Sequence, residues 1–205
     1  MGKVKVKKSD TFIDMTPMSD VMTLLLTFFM LTSTFVKNEP VKVNTPGSVS
    51  ETKVPENGVL TILVSPQKGP NGTPTGEGQV FMSYDNTNEL GQIVDQMGVT
   101  LTPAQKKTFV AESTFGTPLD KLAAYLSKPA AERGNELPKM GIPLDSIQGQ
   151  EMTEFQQWVN AARQVNPKVR LAIKSDGNSP YGTVKKVMSE LQDMDESHYY
   201  MITQL

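Results

Sequence analysis

The chain has no cysteine and a single histidine among its 205 residues. The first absence excludes disulfide staples, thiolate catalysis and cysteine zinc sites. The second leaves no histidine metal cluster, and His198, near the C-terminus, reads as a surface or packing residue. Neither sign of charge dominates. The formal net charge is -2, so there is no bulk basic field to draw in nucleic acid. No internal repeat is present. No nucleophile elbow, phosphate loop, metal cluster or paired-carboxylate site is visible, which points away from an enzyme and gives no metal or cofactor a home. Gly69-Pro70-Asn71-Gly72 and its neighbours form a turn-rich loop, not a phosphate cradle. Long apolar runs are lacking too, with one exception.

That exception is Thr16-Pro17-Met18-Ser19-Asp20-Val21-Met22-Thr23-Leu24-Leu25-Leu26-Thr27-Phe28-Phe29-Met30 and its continuation to Val36. Threonine suits a helix cap and proline the first helical position, so a helix starts here. The uncharged stretch from Val21 to Val36 rises only about 24 Å, whereas a bilayer core of about 30 Å wants roughly 20 residues. Extending the helix back to Pro17 supplies that length and places Asp20 inside the span, about one turn from its start. An ionisable residue in such a place is costly and marks a functional site. Lys3, Lys5, Lys7 and Lys8 precede the helix, and only Lys37, with Glu39 beside it, follows closely. The positive-inside rule then puts the N-terminus in the cytoplasm and everything after Val36 across the membrane. A cleaved signal peptide fits less well, because Asp14 and Asp20 interrupt its apolar region and Leu31-Thr32-Ser33-Thr34-Phe35 offers no small-residue cleavage site.

The rest reads as one anchored α+β domain. Residues 1–16 are a short basic tail, 17–36 the transmembrane helix, 37–57 an extended Pro/Val/Thr/Ser-rich tether with little core of its own, and 58–205 the folded domain. Val59 to Val64 is a short strand closed by Ser65-Pro66, Lys68 to Gly78 a long hairpin loop, and Gln79 to Tyr84 a second strand. Helices are predicted from Thr87 to Met97, ended by Gly98, from Thr102-Pro103 to about Ser113, and from Leu119 to Leu126. Residues 129–150 read as irregular. Glu151 to Val165 is a helix whose apolar face is Phe155, Trp158, Val159 and Ala162. Val169 to Lys174 alternates as a half-buried strand, Asp176-Gly177-Asn178 turns, and Ser179-Pro180 caps a helix with Val184, Val187, Met188 and Leu191 on its apolar face. Tyr199 to Thr203 is a last strand.

The run from Asp14 to Met22, with Leu24-Leu25-Leu26 and Phe28-Phe29-Met30, resembles the opening of the ExbD/TolR family: a short cytoplasmic tail, then a span with a T-P-x-x-D-V-M-like signature. Ile173-Lys174-Ser175-Asp176, Tyr181-Gly182, Val184 and Val187-Met188 are similar to the strand–turn–helix of that family's periplasmic domain. The departure lies in the middle, where residues 85–150 read as an inserted helical block. The resemblance implies a proton-motive-force-driven subunit of the bacterial inner membrane. It implies a homodimer inside a multi-span ring of the ExbB/TolQ type, acting on a TonB- or TolA-type transducer. In the TonB branch the output is outer-membrane transport; in the TolR branch it is envelope integrity, with periplasmic contact to peptidoglycan. A different class of protein, an anchored module that only binds peptidoglycan or another envelope protein, shares the same topology.

The family's essential aspartate maps onto Asp20. Proton carriage needs a group that is charged and neutral within one cycle, and a carboxyl set between apolar surroundings and a helix N-terminus feels both pulls. Thr23 and Thr27 follow at three and seven residues, on the same side of the helix. Their hydroxyls are candidates to line the proton path, in competition with bonding to their own helix backbone.

Overall fold

A computed structural model describes residues 15–32, 41–48, 58–68, 74–145 and 152–204. The chain divides into two compact units, residues 1–38 and 39–205.

In the first unit, α1 covers Thr16–Thr32, 17 residues, a rise of about 26 Å. Residues 33–36, where the sequence predicts its continuation, lie outside the described residues, as do the basic tail and Asp14. Among the described residues no helix is long and apolar enough to cross a membrane.

The second unit is a mixed α+β fold around a five-stranded sheet of order β3-β2-β1-β4-β5. β1 (Val59–Lys68) and β2 (Pro74–Tyr84) form an antiparallel hairpin, with Leu60 opposite Tyr84 and Val64 opposite Val80. β3 (Thr114–Phe115) pairs with β2 at Met82 and Ser83. β4 (Arg170–Ser175) runs parallel to β1, and β5 (Tyr199–Met201) parallel to β4. The hairpin is longer than the sequence predicts. Pro66 does not close β1, because the pairing with β4 ends at Val64 opposite Ser175. The missing proline N–H therefore falls past the point where a second partner would need it, and the register shifts just beyond it.

The helices follow local signals. α2 (Thr87–Gln96) begins at Asn86, whose side chain accepts from the Asn88 and Glu89 amides, and Gly98 at φ +68° lets the chain leave it. α3 (Pro103–Glu112) and α6 (Glu154–Val165) each open with a reciprocal capping box, Thr102 with Gln105 and Thr153 with Gln156. The second box moves the start of α6 from the predicted Glu151 to Glu154. α4 spans Leu119–Leu126. Residues 129–150 are not irregular throughout: α5 (Ala130–Glu136) and a 3-10 turn (Leu137–Lys139) lie there, while 146–150 fall outside the described residues. α7 (Tyr181–Asp193) starts after Pro180 without a side-chain cap. Ser179 instead donates its hydroxyl to the Val64 carbonyl at 3.0 Å, which corrects its reading as a cap.

One core joins these elements. Phe155, Trp158, Val159 and Ala162 of α6 are buried, as are Val184, Val187 and Leu191 of α7. Trp158 lies against Phe109 and Phe115, with ring centroids 6.0 and 4.6 Å away. Leu122, Tyr125, Leu126 and Leu137 from the middle block belong to the same cluster.

Candidate functional site

Asp20 sits in the second turn of α1, where no side chain is buried. Met18, Val21, Met22, Leu24, Leu25, Leu26, Phe28 and Phe29 are all exposed. A helix that is apolar all round belongs in an apolar surrounding or against other helices, not in water. Asp20 is the one charged group in the described part of this helix, and its carboxyl has no hydrogen bond or ion pair among the described residues.

Thr23 and Thr27 lie on the side of Asp20, and their hydrogens are committed. The Thr23 hydroxyl donates to the Ser19 carbonyl at 2.9 Å, and that of Thr27 to the Leu24 carbonyl at 2.9 Å. Thr32 repeats the pattern onto Phe28 at 2.8 Å. A hydroxyl that donates to its own helix keeps its lone pairs free. Along this stripe the threonines can therefore accept a proton-bearing partner, such as a water or a neutral carboxyl, without losing the backbone bond. The structure places Asp20, Thr23 and Thr27 in one row and brings no second titratable group to them among the described residues.

Four buried or half-buried polar sites organise the second unit. Asp176 accepts the Asn44 amide through Oδ2 and the Asn178 amide through Oδ1, both at 2.9 Å, while the Gly177 amide donates back to the Asn44 carbonyl at 2.9 Å. Val41, Val43 and Thr45 are buried in alternation, and Gly47 bridges Gln204 in parallel. Residues 41–48 are thus a docked strap, which corrects their reading as part of a tether with little core. Asp176 does turn the chain, but it also holds a segment 132 residues away.

Glu154, only 3% exposed, accepts the Leu119 amide at 3.1 Å and so caps α4, whose own Pro118 supplies no side-chain cap. Burial raises the affinity of its carboxyl for a proton above the usual glutamate range, the Leu119 amide opposes this, and the Asp120 charge adds to it. Tyr84 donates its hydroxyl to Glu89, which also accepts from Asn86 at 2.7 Å and from Asn166 at 3.0 Å. Burial, then this glutamate, pushes the Tyr84 phenol up to about 12. Burial and the Glu112 carboxylate likewise raise Tyr125, and Arg133 holds that glutamate at 2.6 Å. These are structural pins. Sequence reasoning missed them because each joins residues from separate elements. Among the described residues no three His, Cys, Asp or Glu side chains are placed to hold a metal ion, and His198 is exposed at the start of β5.

A helix with exposed apolar side chains and one carboxylate, and a mixed α+β domain with its own core, define a two-part protein. The chain belongs to the ExbD/TolR family: the family model, Biopolymer transport protein ExbD/TolR, matches residues 7–204. It is also similar to the Biopolymer transport protein exbD2 of Vibrio cholerae serotype O1, with 29% identity over 65 residues, 32% of this chain and 48% of that relative. The match thus spans about half the length of the relative. No solved structure matches the chain.

Proposed function

We propose that this chain is a proton-motive-force-driven motor subunit of the bacterial inner membrane, of the ExbD kind. It spans the membrane once, through residues 17–36, with residues 1–16 in the cytoplasm and the domain of residues 58–205 in the periplasm. Two copies sit within an ExbB-type ring, and proton passage through Asp20 drives a TonB-type transducer for outer-membrane transport. Thr23 and Thr27 line the proton path as acceptors, and the block 85–150 is a helical insertion. The carrying observation is the carboxylate of Asp20, without a partner among the described residues, on a helix whose every described side chain is exposed. Family membership supports the same reading.

The test is Asp20→Asn, which keeps the size and removes titration. Proton-gradient-dependent uptake of an outer-membrane cargo such as an iron chelate is measured in cells with normal protein level and co-purifying ring partner. Lost uptake with an intact complex supports the motor reading. Retained uptake leaves an anchored binding module. Intact uptake with impaired envelope integrity in the deletion strain selects the TolR-like branch.

A further inference from the structure

Three basic side chains gather where β4 and β5 begin. Leu171 pairs with Tyr199, so Arg170 and His198, one residue earlier on each segment, stand side by side at the end of the sheet. Lys168 lies in the turn just before β4. All three are exposed, and among the described residues their side chains have no ion pair or hydrogen bond. With Ser197, Tyr199 and Tyr200 they line a cleft of about 580 Å³ that no acidic residue lines. In a chain of net charge -2 this is a local excess of basic groups.

The frame beneath them is held. Arg163 of α6 donates to both carboxylate oxygens of Glu196. It also donates to the Pro167 carbonyl at 3.2 Å and to the Val169 carbonyl at 2.5 Å. Asn166 accepts the Lys168 amide through Oδ1 at 3.0 Å, and the Arg170 amide donates to the Gly58 carbonyl at 3.1 Å. One arginine thus ties both segments that carry the basic groups to the same helix. It also takes up the Glu196 carboxylate, which leaves Lys168, Arg170 and His198 without a counter-charge among the described residues.

We propose that this cleft binds the phosphate group of an organic phosphate. The guanidinium of Arg170 is a fixed fork that takes two oxygens at once. Lys168, the His198 ring and the Ser197 hydroxyl add donors from other directions. A carboxylate has two oxygens in one plane and leaves most of these donors unused, whereas a phosphate presents its oxygens in a tetrahedron. The rings of Tyr199 and Tyr200 give the carbon part of the ligand a surface, and their hydroxyls add polar tips. A phospholipid headgroup and a water-soluble phosphate ester share this chemistry. The inference stands apart from proton carriage by Asp20, since every group in it lies in the second unit.

The test is titration calorimetry on the full chain in dodecyl maltoside micelles. Glycerol phosphate is the soluble probe and dihexanoyl-phosphatidylglycerol the headgroup probe. Saturable binding of at least one is expected, with none for acetate at the same concentration. The tighter of the two probes assigns the phosphate to a soluble ester or to a lipid headgroup. Affinity should fall about tenfold or more in the Lys168→Gln, Arg170→Gln double variant. The Lys121→Gln, Lys139→Gln variant removes the same charge from exposed positions elsewhere in the domain and should stay within about twofold of the parent. Trp158 fluorescence confirms that each variant is folded. Arg170→Lys, which keeps the charge and loses the fork, gives a second reading and should weaken binding about threefold or more. Binding of neither probe, equal binding of acetate, unchanged affinity in the Lys168 and Arg170 variants, or equal weakening by both double variants would each overturn the proposal.

Discussion

Helix α1 and the α+β domain solve the same problem in opposite ways. In the domain, apolar side chains are inside, and buried acids such as Asp176 and Glu154 have amide partners from distant segments. In α1 the apolar side chains face outward, Thr23, Thr27 and Thr32 donate to their own backbone, and Asp20 has no partner among the described residues. The domain carries its complement within its own sequence, whereas on the proposed reading the complement of α1 is lipid or other helices. A polar change in α1 should therefore cost function with little effect on the fold of the domain, and a change in the domain should do the reverse.

The largest contrast is Asp20→Asn against the single tryptophan. Trp158 is the only tryptophan, so denaturant unfolding followed by its fluorescence reports the domain alone. Asp20→Asn should abolish gradient-driven work and leave this transition within about 0.5 kcal/mol of the parent. A shifted transition would show that the two regions are energetically coupled. Next comes Phe155→Ala, which empties a fully buried position beneath the sheet. It should lower domain stability by about 3–5 kcal/mol in the same assay, and a loss below 1 kcal/mol would contradict a single packed core.

Asp176→Ala tests the strap. It leaves the Asn44 and Asn178 amides without their acceptor, at a cost of about 1–3 kcal/mol. The loss should be local. Amide exchange should quicken over residues 41–48 while the amides of β1 and β4 keep their protection. Equal acceleration everywhere would mean that the strap belongs to the global unfolding unit.

These positions also mark what the sequence makes legible. α1, α3 and the apolar face of α6 rest on local signals: a Thr-Pro start for the first two and an i, i+3, i+4, i+7 spacing for the third. Each is visible without knowing the fold, and so is Asp20, which stands out because its neighbours are apolar. The strap, the reach of β1 through Pro66 and the acid caps depend on partners far along the chain. Asn44 alone says nothing of Asp176, and Pro66 looks like a stop until the end of β4 pairing is known. Helix α5 was illegible for another reason. Its seven residues include Gly134 and are followed by Pro138, so its periodicity is too short to outweigh the breakers, and it is the burial of Leu137 that seats it.

Glu154 gives the finest division between the two regions, because it is an acid in the domain that has a partner yet is held in an unfavourable state. Burial raises its proton affinity in the folded chain above the unfolded value. The sign follows from linkage: where folded affinity exceeds unfolded affinity, the folded state binds more protons, and stability falls as pH rises between the two values. The ionised carboxylate is thus a burden at neutral pH, relieved as pH drops through the raised value toward the ordinary glutamate range. Glu154→Gln removes this titration and keeps an oxygen for the Leu119 amide. At pH 7 it should change stability by less than about 1 kcal/mol, since it trades a charge-assisted bond for the loss of a desolvated charge. On acidification the parent should gain on the variant, as read from paired denaturant midpoints at pH 7 and pH 5. A parent that instead loses ground as pH falls would mean that the Leu119 amide outweighs burial, making Glu154 as well served by its partners as Asp176.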